Sequence, residues 1–131
     1  MKTSASFVVI LINNMVCATT RLDNTIGLPG GLTEVNETPI QTALREAEEE
    51  GWEIDLANDP KIIHLLTDIV NDRVISWILI DSTAEIKEDY LEKSRGIKPI
   101  LVSIDEIKKS GRGNDLAMDL AIRVLKTIKQ K

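Results

Sequence analysis

The stretch from Gly30 to Trp52 reads GGLTEVNETPIQTALREAEEEGW, and it determines more about the fold than any other part of the chain. Thr38 is typical of a helix N-cap, and Pro39 suits the first helical position. Gln41 completes a Thr-x-x-Gln capping box with Thr38. These signals predict a helix that begins at Pro39.

The predicted helix has two chemically different faces. Its apolar residues recur at helical spacing and would pack on a core: Ile40, Ala43, Leu44 and Ala47. Glu46, Glu49 and Glu50 stand at i, i+3 and i+4 and share another face. Two unit charges about 5 Å apart at an effective dielectric near 20 repel by roughly 3 kcal/mol, so this face needs positive partners. Arg45 can reach Glu49, and a divalent cation suits the remaining charge, whereas the alternative is an ordinary solvated acidic face.

The order of residues in this stretch resembles the signature of the Nudix hydrolase family. That signature has a glycine, five residues, a glutamate, seven residues, then arginine-glutamate, an apolar residue, any residue and two glutamates. The matching positions here are Gly31, Glu37, Arg45, Glu46, Ala47, Glu49 and Glu50. The match favours a metal site over a solvated face. It implies an α/β protein with the Nudix fold, an α/β/α sandwich with a mixed β-sheet, as a single domain over residues 1–131.

The chain departs from the signature directly after the glutamate pair. The family has any residue and then glycine there, whereas this chain has Gly51 and then Trp52. If the signature were aligned to Gly51, its glutamate pair would become Glu48 and Glu49. Glu48 lies well off the face of Glu46. We therefore keep the original pair. We expect Gly51 to end the helix early as a left-handed C-cap, with Trp52 at the core edge.

The resemblance implies a metal-dependent catalytic group within the motif. The expected ligands of Mg²⁺ or Mn²⁺ are the carbonyl of Gly30 and the carboxylates of Glu46, Glu49 and Glu50. Glu46 is either a ligand or, as in some relatives, the general base. Arg45 and Glu49 complete the predicted catalytic group. A base beside a cation would stay ionised at neutral pH, because the positive charge favours the carboxylate.

Residues around these ligands are expected to support the site. Glu37 would orient Arg45 or join the metal shell through water. Arg21, Gly30 and Gly31 are the predicted substrate-binding residues, and an ordinary surface arginine is the alternative for Arg21. Relatives often supply a further carboxylate from outside the motif. The sequence does not choose among four candidates: Glu85, Glu88, Asp89 and Glu92.

The rest of the chain consists mainly of predicted strands. Four apolar runs form two predicted hairpins, 6–12 with 15–20 and 61–70 with 74–81. A last strand at 97–102 leads into a capping box that starts at Ser103. Asn114 or Asp115 is expected to cap a terminal amphipathic helix. In residues 82–96, the spacing of Ile86, Tyr90 and Leu91 allows a short amphipathic helix.

Composition limits the class of protein. The chain has 131 residues, of which 43% are hydrophobic, and this suits one globular domain with a sizeable core. No apolar run approaches the roughly 18 residues of a membrane span, and Cys17 is the only cysteine, so we expect a cytoplasmic protein. A net charge of −5 argues against a large nucleic-acid footprint. His64 is the only histidine, which excludes a histidine-based metal cluster.

The resemblance implies Mg²⁺-dependent hydrolysis of the pyrophosphate linkage in a nucleoside diphosphate joined to another group. The short chain is similar to small MutT-like members, which favours a nucleoside triphosphate pyrophosphohydrolase. ADP-ribose, dinucleoside polyphosphates and NADH or FAD are the alternative substrates. A non-catalytic Nudix-fold nucleotide sensor is the alternative from another class. We expect a small nucleotide as partner, with no nucleic-acid polymer and no membrane, and a homodimer is compatible because many relatives dimerise.

Overall fold

The computed structural model describes residues 3–129. Its strands, in chain order, are β1 (Thr3–Val9), β2 (Leu11–Ile12), β3 (Met15–Thr20), β4 (Ile26–Gly27), β5 (Gly30–Leu32), β6 (Trp52–Ile54), β7 (Lys61–Val70), β8 (Arg73–Asp81), β9 (Ala84–Ile86) and β10 (Lys98–Ser103). Its helices are α1 (Pro39–Glu49), α2 (Ile104–Lys108) and α3 (Asn114–Lys129), with a 3₁₀ helix over Leu91–Arg95.

The strands form one mixed sheet and two antiparallel ones. The first sheet has the order β5-β1-β8-β7, in which β1 runs parallel to β8 and antiparallel to β5. The second has the order β10-β3-β2, with β4 beside β3. The third pairs β6 with β9. The parallel β1–β8 pair is central, because it places the strand before the motif beside a strand from the middle of the chain.

Both predicted hairpins are confirmed. Asn13 and Asn14 have φ values of 50° and 67° between β2 and β3, and Asn71 and Asp72 have 51° and 62° between β7 and β8. Such left-handed turn residues are those that two-residue hairpin loops require. The first predicted run differs in one respect, because it divides at Ile10 into β1 and β2. This division lets β1 pair within the first sheet and β2 within the second.

The first sheet has a helical layer on each face, which confirms the predicted α/β/α sandwich. Along β8, Trp77 and Leu79 belong to one core cluster, while Ile78 and Ile80 belong to the other. This alternation follows from the two-residue period of a strand. The buried helical residues on the first side are Ile107, Ala117, Met118 and Ala121, and those on the second side are Ala43 and Ala47.

Asn114 has a different role from the predicted helix cap. It is the first residue of α3, and its buried side chain accepts a hydrogen bond from Trp77 Nε1 at 3.0 Å. Its amide also donates to Ser110 Oγ at 3.0 Å. Gly113 has a φ of 86°, and a Cβ there would lie 2.8 Å from the Trp77 ring. The start of α3 is therefore attached to the sheet through one buried indole.

The short helix expected within residues 82–96 is only partly correct. The segment begins with β9, which pairs with β6, and the helical turn follows later as the 3₁₀ helix. Ile86 and Leu91 are exposed, at 56% and 67%, so they do not form the buried stripe that the spacing suggested. Backbone pairing with β6 has outweighed the weak amphipathic pattern.

Cys17 is fully buried in β3. Burial raises the pKa of its thiol to about 12. Within residues 3–129, no helix is long and apolar enough to cross a membrane.

Replacing Asn114 with alanine should destabilise the fold. The variant leaves the buried Trp77 N–H without its acceptor, which costs about 1–3 kcal/mol of unfolding free energy. Urea denaturation followed by tryptophan fluorescence measures this loss. Arg123→Ala, on an exposed position of the same helix, should change stability by no more than about 0.5 kcal/mol. Equal stability of the Asn114 variant and wild type would contradict the role of this contact.

Candidate active site

The motif helix starts where the sequence predicts. Thr38 Oγ1 accepts from the Gln41 backbone N–H at 3.1 Å, and Gln41 Oε1 accepts from the Thr38 N–H at 2.9 Å. Pro39 is the first helical residue. The capping box is therefore complete, and it sets the rotation of α1 so that Ala43 and Ala47 face the core.

The helix also ends as predicted. Glu50 is its C-cap residue, and Gly51 follows with a φ of 104°, a value that favours glycine. Trp52 is 2% exposed, and its Nε1 donates to the carbonyl of Ala18 at 2.9 Å. Gly51, which stands one place earlier than the glycine of the family signature, therefore shortens α1 and places Trp52 in the core. The face of the motif glutamates is preserved.

Arg45 binds the acidic side chains of this face. Its Nε and Nη2 donate to Glu37 at 2.6 and 3.0 Å, and its Nη1 donates to Glu46 at 3.0 Å and to Glu49 at 3.2 Å. Nη2 also donates to the carbonyl of Leu32 at 2.9 Å, which ties the guanidinium to β5. Nη1 also lies 3.6 Å from Glu34 Oε1, so one positive charge lies among four carboxylates and the group keeps a net negative charge.

Glu37 is held in place from several directions. Besides the two contacts with Arg45, its Oε1 accepts from Thr42 Oγ1 at 2.8 Å and from the Glu34 backbone N–H at 3.0 Å. The hydrogen bond from Arg45, together with that from Glu34, lowers the pKa of Glu37 to about 2. Of its two predicted roles, these contacts support orientation of Arg45. Thr42 has no place in the motif and was not identified from the sequence.

Glu50 lies apart from the arginine and is 3% exposed. Its Oε1 accepts from the backbone N–H of Gly30 at 2.7 Å. Burial raises the pKa of Glu50 to about 8, although the hydrogen bond from Gly30 and the charge of Arg21 act in the opposite direction. The negative charges of Glu46 and Glu92 raise it further. The positive charge near this buried carboxylate is therefore too small to offset its negative charge.

Glu46 lies between these two groups, against Gly31. Burial raises the pKa of its carboxyl, opposed by Arg45 and reinforced by the charges of Glu49 and Glu92. A Cβ at Gly31 would lie 2.5 Å from the Glu46 carboxylate. The motif glycine therefore leaves the space that this carboxylate occupies.

Glu92 is the carboxylate from outside the motif that the structure brings to the site. Its charge acts on both Glu46 and Glu50, and its side chain is 16% exposed. The other three candidates precede the 3₁₀ helix, with Glu85 opposite Glu53 in the β6–β9 pair. The sequence could not make this choice, because no local signal shows which acidic residue of the segment turns toward α1.

The oxygen atoms of the predicted ligands are chemically suited to a divalent cation. Carboxylate and carbonyl oxygens are the ligands that Mg²⁺ and Mn²⁺ prefer, and a cation would offset the charge that surrounds Glu46 and Glu50. Among residues 3–129, no three acidic, histidine or cysteine side chains are already gathered closely enough to enclose an ion. The assignment of metal ligands to Gly30, Glu46, Glu49 and Glu50 stays a prediction.

Glu37→Gln should lower stability in a pH-dependent way. Because the folded pKa of Glu37 lies below its ordinary value of 4.5, this carboxylate stabilises the fold above that value and ceases to do so toward about pH 2. We expect wild type to melt at a higher temperature at neutral pH, with the difference shrinking as the solution is acidified. Circular dichroism melts measure it, with Glu48→Gln, an exposed site on the same helix, as control. A difference that is constant with pH would contradict this account.

Comparison with known proteins places these features in a family. Residues 2–118 match the model of the NUDIX domain, whereas no curated protein matches the sequence. One similar structure is an ADP compounds hydrolase, with a TM-score of 0.72 and 12% identity over 97% of this chain and 75% of that one. A MutT NUDIX hydrolase from Burkholderia pseudomallei has a TM-score of 0.66 and 15% identity over 92% and 98%.

A third structure, an ADP-ribose pyrophosphatase from Streptococcus suis 89-1591, has a TM-score of 0.65 and 13% identity over 95% of this chain and 92% of that one. Identities this low establish a shared fold. The family model adds the motif itself, since its match includes β1 to β10 and the whole of α1. The chain therefore belongs to the Nudix family of hydrolases.

Proposed function

We propose that this Nudix hydrolase cleaves the pyrophosphate linkage of a nucleoside diphosphate joined to another group, with Mg²⁺ or Mn²⁺ as cofactor and nucleoside triphosphates as substrates. The observation that supports the proposal is the complete set of motif carboxylates around the end of α1. Arg45 holds Glu46 and Glu49, while Gly30 holds Glu50. A protein that only sensed nucleotides would not need all of these groups.

Glu46, Glu49, Glu50 and the carbonyl of Gly30 would hold the metal. When bound, a divalent cation polarises phosphoryl oxygens and increases the acidity of water. The acidic face would then be able to receive an anionic substrate, because the ion reverses its local charge.

The protein's own groups have separate tasks in hydrolysis. The oxygen of water forms a bond to one phosphorus, the bridging P–O bond breaks, and its electron pair leaves with the departing phosphate. Glu46, if it is the general base, takes the proton of the attacking water. Arg45 keeps Glu46 in position through the 3.0 Å contact. Arg21, whose charge acts on Glu50, would stabilise negative charge on the phosphates.

ADP-ribose is the second candidate substrate. Two of the similar structures are named for ADP compounds and for ADP-ribose, and their folds resemble this one over nearly its whole length. Dinucleoside polyphosphates, NADH and FAD contain the same linkage and belong in the same comparison.

Hydrolysis should depend on Glu49 and not on its neighbour Glu48. We expect wild type with Mg²⁺ to release pyrophosphate from nucleoside triphosphates, and Glu49→Gln to be slower by about 10²-fold or more. Glu48→Gln should retain activity, because Glu48 is exposed and pairs with Lys87. The assay measures phosphate and pyrophosphate from triphosphates, ADP-ribose, dinucleoside polyphosphates, NADH and FAD, with phosphatase added to expose terminal phosphates. Binding of nucleotides without cleavage of any would favour the sensor.

Gly31→Ala should impair activity more than stability. The new Cβ would displace the Glu46 carboxylate, which is the end of a flexible side chain and can move at little cost. We expect at least about a tenfold lower kcat/KM, since small misplacements of a catalytic group are costly. Gly27→Ala is the matched control, because a Cβ there meets nothing within 4 Å. Full activity in the Gly31 variant would mean that the position of Glu46 is unimportant.

A further inference from the structure

A cleft of about 420 Å³ is lined by Arg21, Leu22, Asp23, Glu92, Arg95 and Ile97. Two of these residues, Arg21 and Glu92, carry charges that act on Glu50 at the end of α1. We propose that Arg21 and Arg95 form a two-arginine clamp that binds a third phosphate of the substrate, so that the protein selects compounds with three or more linked phosphates. This inference rests on the proposed hydrolysis of a pyrophosphate linkage and narrows its substrate class. Arg95 was not identified from the sequence.

The wall that carries Arg21 is a closed turn between β3 and β4. The Arg21 N–H donates to the carbonyl of Thr25 at 3.1 Å, and the Asn24 N–H donates to the carbonyl of Arg21 at 2.9 Å. Asp23 Oδ1 accepts from the Thr25 N–H at 3.0 Å and from its hydroxyl at 2.7 Å. The backbone of Arg21 is therefore held while its side chain remains exposed.

The segment that carries Arg95 contacts the β3–β4 turn. The 3₁₀ helix ends at Gly96, which has a φ of 79°, and Tyr90 Oη donates to the carbonyl of Ile97 at 2.7 Å. A Cβ at Gly96 would collide with Leu22, so the end of this helix packs directly on the β3–β4 turn. Arg21 and Arg95 thus line the same cleft, each from one of two segments that contact each other at Leu22 and Gly96.

The acidic residues of the cleft leave the guanidinium groups available. Asp23 accepts two hydrogen bonds from Thr25, and its charge also acts on Arg21, an attraction that is weak because both side chains are exposed. Arg95 lies 3.5 Å from Glu92, but its side chain is 78% exposed, and exposed ion pairs of this length contribute little. The negative charge of Glu92 also acts on Glu46 and Glu50. Arg95 can therefore bind an anion without losing a strong partner.

Arg21 and Arg95 are chemically better suited to binding a phosphate than a sugar. A guanidinium binds phosphate oxygens through two parallel N–H donors, and charge-assisted bonds of this kind are among the strongest hydrogen bonds in proteins. A terminal phosphate carries a charge of about −1.5 to −2 at neutral pH, which two arginines match. A neutral ribose beyond the diphosphate would leave both positive charges unused. The clamp therefore favours a triphosphate over ADP-ribose.

Arg95→Ala should change the choice of substrate. We expect kcat/KM for a nucleoside triphosphate to fall by about 10- to 100-fold, mainly through KM, because a charged hydrogen-bonding partner is lost. For ADP-ribose the fall should be less than about threefold. Arg95→Lys should recover part of the lost kcat/KM, since lysine keeps the positive charge but lacks the paired N–H donors of the guanidinium. Arg123→Ala, an equal change of charge on an exposed position of α3, should affect neither substrate. An equal fall for both substrates, or wild-type cleavage of ADP-ribose but not of triphosphates, would overturn the clamp.

A binding measurement separates this inference from the proposed hydrolysis. Inorganic tripolyphosphate and pyrophosphate, each with Mg²⁺, are titrated into wild type, Arg95→Ala and Arg123→Ala by calorimetry. We expect wild type and Arg123→Ala to prefer tripolyphosphate by about tenfold and Arg95→Ala to lose this preference. Tripolyphosphate binding that depends on Arg95, without turnover of any nucleotide, would retain the clamp and reject the hydrolase proposal. Equal binding by all three proteins would reject the clamp.

Discussion

The contact on which the site depends is the one between Arg45 and the acidic residues around it. A single guanidinium reaches Glu37, Glu46 and Glu49 and is tied to β5 through the carbonyl of Leu32. Without this charge, the carboxylates would repel each other and the acidic face of α1 would be unfavourable. The arginine therefore makes it feasible to gather so much negative charge at one helix end.

The rest of the fold positions that helix. The parallel pairing of β1 with β8 creates a sheet with two buried faces, and the alternation of side chains along β8 gives each face its own core cluster. On one side α1 packs through Ala43 and Ala47, small residues that allow a close approach to the sheet. Their burial brings an adjacent side of α1, with Glu46 and Glu50, against β5. The paired glycines of β5 then complete the site, since Gly30 donates to Glu50 and Gly31 makes room for Glu46.

The charge balance of the site connects the structure with the proposed function. Arg45 offsets only part of the negative charge, and burial leaves Glu50 with a pKa of about 8. A divalent cation would supply the missing positive charge on the helix side. Arg21 and Arg95 supply further positive charge on the cleft side. Under the proposed function, the phosphates of the substrate would lie between the cation and these arginines.

Local signals in the sequence determined the limits of α1 and both hairpins, and the spacing of Arg45 and Glu49 indicated their contact. The capping box at Thr38, the glycine at Gly51 and the left-handed turn residues act over a few neighbouring positions, so their effect can be predicted without knowing the fold. The tertiary structure alone decided that the first apolar run divides at Ile10, that Asn114 turns inward to Trp77, and that Glu92 and Arg95 line the cleft beside the site. Each of these depends on contacts between residues far apart in the chain, which no local pattern specifies.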